Sequence, residues 1–355
     1  MSDSNAKAGS PGNCERPLDI ERHQDLLAYL RGAGILPPGD EPVMRTLAGG
    51  VSNRTVLVTS AARPAFVVKQ ALGKLRVAAE WYADPERIHR EARAMEYLGA
   101  LAPEGAITRL VFEDRAQRLI GMTAVPEPHE NWKEMLLAGH VDPDHVRQFA
   151  ELLGAIHARS GADAVLARGE FAGCEYFESL RLEPYYRYSA RQVPDAAAFY
   201  AGLIEETLAT RVAITHGDYS PKNILIHGGR LVLLDHEVAH FGDPAFDVGF
   251  SLTHLLSKAL HVTAHRGEML EAARAYVARY LACLQGVSWR EALEQRAVRH
   301  ALGCLLARVA GRSPLEYLTP GERRAQAEIA LALMARPPAR LGELVGVFAE
   351  ELSCR

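Results

Sequence analysis

The chain has 355 residues, enough to bury at least one large core and to form a body of two parts. Its 48% apolar and 24% charged composition is that of an ordinary globular protein, and a formal net charge of −4 gives no global attraction to nucleic acid or to an anionic membrane. A small molecule is left as the default partner. The five cysteines Cys14, Cys174, Cys283, Cys304 and Cys354 are odd in number and lack CxxC spacing, which argues against a disulfide framework or a zinc site and for reduced thiols in a cytoplasm. No apolar run approaches the roughly 20 residues that span a bilayer, and the polar N-terminus has no signal-peptide pattern.

Residues 1–17 mix Ser, Asn, Gly and Pro with little apolar content and read as a disordered leader. Asp19 is placed to cap a helix running to about Arg31, with Ile20, Leu26, Leu27 and Leu30 as its apolar stripe. Val43–Leu47 and Thr55–Thr59 are short β-rich runs around a loop containing Gly49, Gly50, Ser52 and Asn53. Glycine lets backbone approach a phosphate closely and Ser52 and Asn53 add donors, although the GxGxxG spacing of protein kinases is absent. A third run, Phe66–Lys69, reads FVVK and is similar to the VAIK strand of those enzymes, whose Lys pairs with nucleotide phosphates and with a Glu on the next helix. The expected helix spans Pro85–Leu98, with Ile88, Ala92, Met95 and Leu98 on its apolar face and Glu91 and Glu96 off it.

Ile107–Phe112 and Leu119–Ala124 complete a five-stranded antiparallel lobe, after which Met122–Pro126 crosses toward a helical region. Thr123 to Val125 are placed by position alone at a hinge whose backbone would hold adenine. Asp142 and Pro143 start a helix to about Arg159, in which His157 reads as a packed core residue. Tyr176–Tyr188 holds five aromatics with Arg181 and Arg187, either a sugar or nucleoside wall or a lid packed on helices. Helices are expected over about 251–260, 265–284, 288–311 and 319–335.

The most informative stretch is Ile214–Phe250, ITHGDYSPKNILIHGGRLVLLDHEVAHFGDPAFDVGF. Asp218 follows His216 and Gly217, and Asn223 stands five positions later, the interval between base and metal ligand in HRDxxxxN. Two β-runs joined at Gly228 and Gly229 then deliver Asp235, the start of a DxE with Glu237, to the same sheet edge as Asp218. Phosphoryl transfer needs a carboxylate at the attacking hydroxyl and oxygen ligands for magnesium on the triphosphate. Asp218 fills the first role; Asn223 and Asp235 fill the second, with Glu237 assisting.

This stretch resembles the aminoglycoside phosphotransferase and choline kinase superfamily, down to DPAFDVGF. The segment Lys69–Leu98 is also similar to 5-methylthioribose kinases in its KQAL, its Arg76-Val77 pair and Trp81. The narrower likeness stops at LAGGVSNRT and Asn223, which follow the general aminoglycoside phosphotransferase pattern. The register of REAxAxxxL makes Glu91 the partner of Lys69. Ala307–Leu318, ARVAGRSPLEYL, also resembles a segment of these enzymes; Arg308 and Arg312 read as surface charge, with a role facing substrate left open.

The resemblance implies an α+β, protein-kinase-like two-lobed fold: an N-terminal antiparallel β-sheet nucleotide lobe over 18–125 and a larger, mainly helical C-terminal lobe over 126–355. It implies ATP and Mg2+ as cofactors and phosphate transfer to a hydroxyl of a small polar metabolite, a pentose such as 5-methylthioribose or a related deoxy sugar. An aminoglycoside or amino-alcohol kinase is the alternative, and a pseudokinase that binds nucleotide without transfer is a third reading. A homodimer is compatible with these features. Residues 251–355 hold 14 Lys and Arg against 10 Glu and no Asp, which favours a neutral or lightly charged acceptor over a polycation unless Asp243 and Asp247 converge on its wall.

Overall fold

A computed structural model describes residues 18–354 except 49, 78, 79, 164, 166, 167 and 170. The expected leader and Cys14 lie outside the described residues. In the N-terminal part, β1 (Val43–Thr46), β2 (Asn53–Thr59), β3 (Phe66–Ala71), β4 (Leu110–Asp114) and β5 (Leu119–Thr123) form one antiparallel sheet in the order β1-β2-β3-β5-β4.

The two-residue side-chain period of β3 divides the sheet's faces. Phe66 and Val68 join Val56, Val58 and Leu119 under Leu26 and Leu30 of helix α1 (His23–Gly32). Val67 and Ala71 face the opposite side, where helix α2 (Arg87–Leu101) inserts Ile88, Ala92, Met95 and Leu98. Lys69 shares this second face, so strand alternation alone aims it at α2.

Helix α1 begins later than its apolar stripe predicts, because Asp19 closes a turn instead: its Oδ1 accepts the Glu21 N–H at 3.1 Å and its carbonyl accepts the Arg22 N–H at 3.0 Å. Ile20 still joins the core below this turn.

Beyond β5 the chain is mainly helical: α3 (Trp132–Leu137), α4 (Pro143–Ala162), α5 (Ala197–Ala209), α6 (Ala245–His261), α7 (Arg266–Cys283), α8 (Arg290–Ala310), α9 (Pro320–Ala335) and α10 (Leu341–Ser353). Asp142 caps α4 through the Asp144 N–H at 2.8 Å, as its sequence predicts. Helix α6 is the axis of this part, with every residue from Ala245 to Leu260 buried. It crosses α8 closely at Gly249, where a Cβ would lie 2.5 Å from the Cβ of His300.

Short strands complete the fold: β6 (Glu130–Asn131), β8 (Ile224–His227) and β9 (Arg230–Leu233) in one sheet, and β7 (Ala213–Thr215) with β10 (His240–Gly242) in another. This is the α+β architecture, an antiparallel sheet followed by a mainly helical part, that the resemblance implies. Among the described residues, Cys174, Cys283, Cys304 and Cys354 are free thiols, and no helix is long and apolar enough to cross a membrane.

Candidate active site at the junction of sheet and helices

The β8–β9 hairpin closes through Gly228 and Gly229, at φ +54° and +75°, the conformation that a two-residue hairpin turn of this twist demands. Its strands return side by side, so that the Leu234 N–H donates to the Asn223 carbonyl at 2.9 Å. Asn223 and Asp235 therefore stand at one edge although eleven residues lie between them. Asp235 is held at φ +67°, a backbone region that side chains other than Gly, Asn and Asp rarely adopt and one that concentrates at functional sites.

Lys69 reaches across from β3. Its Nζ donates to both oxygens of Glu91, at 2.8 and 2.7 Å, and to Asp235 Oδ1 at 2.5 Å. Burial opposes the lysine's charge, but Asp235, Glu91 and Glu237 outweigh it and hold the ammonium above its ordinary range. Burial likewise opposes ionisation of Asp235, and Lys69, then Lys222 and Arg181, reverse the effect and keep it a carboxylate. For Glu91, burial dominates; Lys69 counteracts it only in part, and the proton affinity of Glu91 rises.

Asp218 is fixed on both oxygens. Asn223 Nδ2 donates to its Oδ2 at 2.7 Å and to its carbonyl at 3.0 Å, while Arg181 Nη2 lies 2.9 Å from Oδ1. Arg181 sits on a π-helical stretch, Glu178–Arg187, and also donates through Nε to the Gly217 carbonyl at 2.6 Å. The aromatic segment is thus a packed lid, with Phe177, Tyr185 and Tyr186 buried, that delivers one arginine to the loop.

The loop itself hangs from Asp247. This wholly buried carboxylate accepts the N–H groups of His216 and Gly217 at 2.6 and 2.8 Å, and His157 Nε2 at 3.2 Å. His157 is buried as expected, and beyond packing it orients Asp247 and takes a hydrogen bond from Tyr280 at 2.8 Å. Gly217 is required, since at φ +78° a Cβ would lie 2.8 Å from Val238 Cγ2. Asp243 pairs with Arg296 at 2.8 and 3.2 Å. Neither Asp243 nor Asp247 is free to line an acceptor wall.

Glu91, Asp235 and Glu237 offer carboxylate oxygens within 4.8 Å of one another. An all-oxygen donor set suits a hard divalent cation, and the buried Asn53 Oδ1 beside Glu237 has no partner. These residues fit a divalent metal. Asn223 has Nδ2 turned to Asp218, which leaves Oδ1 as its side-chain acceptor.

Glu237 accepts from Asn53 Nδ2 at 2.8 Å and from Arg87 Nε at 3.1 Å. Arg87, fully buried at the start of α2, also donates to the carbonyls of Ser52 at 2.5 Å and Leu72 at 3.0 Å. Ser52 accepts from Asn53 at 2.9 Å. Asn53 Nδ2 thus serves the acidic cluster, while Ser52 Oγ is an acceptor for it. Gly50 adjoins them, while Gly49 lies outside the described residues.

At the expected hinge, Thr123 spends its N–H on the Arg109 carbonyl and its hydroxyl on the Arg109 N–H, both at 2.9 Å. The N–H and hydroxyl of Thr123 are thus engaged within the sheet, and Val125 is half-buried beyond the strand end. Arg308 departs from its reading as surface charge: it is buried and donates to the Tyr185 hydroxyl at 3.1 Å.

With this geometry in view, the comparisons decide the family. The family model described as "Phosphotransferase enzyme family" matches residues 43–261, more than half of the chain. The chain belongs to that family. Rice methylthioribose kinase 2 is 27% identical over 273 residues, covering 68% of this chain and 63% of that protein. The methylthioribose kinase of Pectobacterium atrosepticum is 25% identical over 217 residues, 54% of this chain and 53% of its own length. The chain thus matches less than two thirds of these relatives. A Plasmodium vivax ethanolamine kinase shares the fold with a TM-score of 0.55 at 9% identity, covering 94% of this chain and 91% of that one.

Proposed function

We propose that the chain transfers the γ-phosphate of ATP to a hydroxyl of a small polar metabolite of pentose size, with 5-methylthioribose and related deoxy sugars as reference acceptors. The observation that carries this reading is the convergence of Glu91 and Asp235 on Lys69 Nζ, each within hydrogen-bond reach of it, together with the Asn223–Asp218 pair. Lys69, steadied by Glu91, meets the α and β phosphates. Asp235, Asn223 and Glu237 hold magnesium, which neutralises charge on the triphosphate when bound. Asp218 orients the attacking hydroxyl. Gly50, Ser52 and Asn53 border the phosphates, and the likeness to methylthioribose kinases supports the sugar acceptor.

The test is ADP release with ATP and magnesium, using 5-methylthioribose, 5-deoxyribose, a kanamycin-type aminoglycoside and choline as acceptors. Turnover with a pentose is expected; a clear preference for the aminoglycoside or choline refutes the acceptor class.

A further inference from the structure

Next to Arg181 and Tyr185 the helical part holds two buried cations, Lys258 and Arg308, that the chemistry above does not use. The path begins at Arg181, whose guanidinium lies over the Tyr185 ring at 5.7 Å. Tyr185 packs beside Phe250 at 5.9 Å, and Phe250 meets the His254 ring edge-on at 4.8 Å. Phe250, His254 and Lys258 follow one another at intervals of four residues along α6 and so share one helix face. Arg308 comes in from α8, over the same Tyr185 ring at 5.5 Å.

Lys258 is 0% exposed, and its Nζ donates only to the His254 carbonyl, at 3.3 Å, with the Tyr317 ring 5.5 Å away. Arg308 donates to Tyr185 and to the carbonyl and hydroxyl of Ser313. Neither cation forms an ion pair among the described residues. Arg308 Nε, His254 Nε2 and Ser257 Oγ are buried with no hydrogen-bond partner. The nearby acid Glu316 is already held by Lys133. Buried cations without a counter-charge are costly, and an apolar residue at 258 would pack without that cost. Arg181, Tyr185, His254 and Arg308 each keep 5–8% exposure, so solvent reaches the edge of this group although Lys258 itself is covered.

We propose that Lys258, Arg308 and His254 form a subsite for an anionic group of the acceptor, so that the preferred acceptor is a pentose-sized polyol carrying a carboxylate or a phosphate besides the hydroxyl that is phosphorylated. This rests on the kinase reading above and narrows it. The arriving anion supplies the counter-charge that Lys258 and Arg308 lack, and the unpartnered Arg308 Nε, His254 Nε2 and Ser257 Oγ supply hydrogen bonds. Burial, then Lys133 and Arg308, push the Lys258 amine down to about 7, and an anion at this place would return it to the charged form. A polyammonium acceptor meets the wrong sign here.

The experiment compares kcat/KM of the full chain, with ATP and magnesium, for D-ribose and 5-methylthioribose against D-ribonate and D-ribose 5-phosphate. An anionic acceptor is expected to exceed the neutral ones by about tenfold or more, and Lys258→Met should erase most of that preference while ATP affinity reports that the variant is folded. Higher activity with ribonate assigns a carboxylate, and higher activity with the sugar phosphate assigns a phosphate. Neutral sugars matching the anionic ones, or an undiminished preference in Lys258→Met, overturns the subsite. If no acceptor turns over, the kinase reading fails separately, and titration calorimetry still reads the subsite. Binding of D-ribonate or inorganic phosphate to the wild type and its weakening by about tenfold in Lys258→Met supports it; equal affinities, or no binding to the wild type, overturn it.

Discussion

Arg181 and Asp218 meet through a single contact, Nη2 to Oδ1 at 2.9 Å, and the same guanidinium holds the carbonyl of Gly217 at 2.6 Å. With Asn223 on the other oxygen, the carboxylate is held in one orientation. A loose phosphoryl-transfer transition state needs such positioning more than a strong base. Asp218→Asn should lower kcat by about two decades or more with little change in ATP affinity. Arg181→Met should lower kcat in the same direction with KM for ATP nearly constant. Steady-state kinetics with varied ATP checks both, and near-normal turnover in Asp218→Asn would make the residue a structural turn.

Asp235→Ala removes a carboxylate oxygen from the group formed with Glu91 and Glu237. It also places alanine at φ +67°, which alanine tolerates poorly, so Asp235→Asn is the cleaner partner variant. Both should lose magnesium-dependent nucleotide affinity. ATP titrations with and without magnesium decide the matter, since an unchanged magnesium effect removes Asp235 from the site.

Lys69→Ala leaves the buried Glu91 facing Asp235 without the cation that separates them. The variant should raise KM for ATP and lower kcat. A nucleotide-bound structure with Lys69 in open solvent would contradict the assignment.

The sequence made the short-range part of this site legible. HGD with Asn five positions on, the GG hairpin and Asp235 lie within one supersecondary unit, where spacing fixes geometry. The likeness of FVVK to VAIK singled out Lys69, and the likeness to REAxAxxxL selected Glu91 over Glu96. Arg87, Arg181 and Asp247 were not legible in those roles. Each acts on a partner 30 or more residues away: Arg87 lies 150 positions from Glu237, and Asp247 lies 30 and 31 from the amides it holds. No local period reports such a bond. The trailing DPAFDVGF drew notice only by resemblance, and its Asp247 has a role that only the packing of α6 under the loop reveals.

Arg87 tests this hidden layer. Its guanidinium joins Glu237 to the carbonyls of Ser52 and Leu72, so Arg87→Met strands a buried carboxylate and frees the loop at the same time. Loss of a buried ion-pair partner costs about 3–5 kcal/mol, and urea unfolding should show a loss on that scale together with a higher KM for ATP. A stability change below about 1 kcal/mol would place Arg87 in ordinary surface-like screening.

His300 gives the fold a pH dependence whose sign follows from its surroundings. The ring lies fully buried between Tyr186 OH, 2.8 Å from Nδ1, and Thr207 Oγ1, 3.2 Å from Nε2, with Phe246 edge-on at 5.5 Å. Burial first, and then Arg296 and Arg299, push its pKa from 6.5 down to about 3. Between these values the unfolded chain binds a proton that the folded chain refuses. Stability is therefore complete above the ordinary histidine pKa and falls as pH drops through the window, by at most about 1.4 kcal/mol per pH unit for this one group. His240, pushed by burial to about 4, adds to the same slope. His300→Gln retains a donor and an acceptor for Tyr186 and Thr207, removes the titration, and should make the unfolding free energy less steep with pH by close to one proton. Urea midpoints for wild type and variant across this window measure that slope, and equal slopes would show that His300 does not resist protonation in the folded chain.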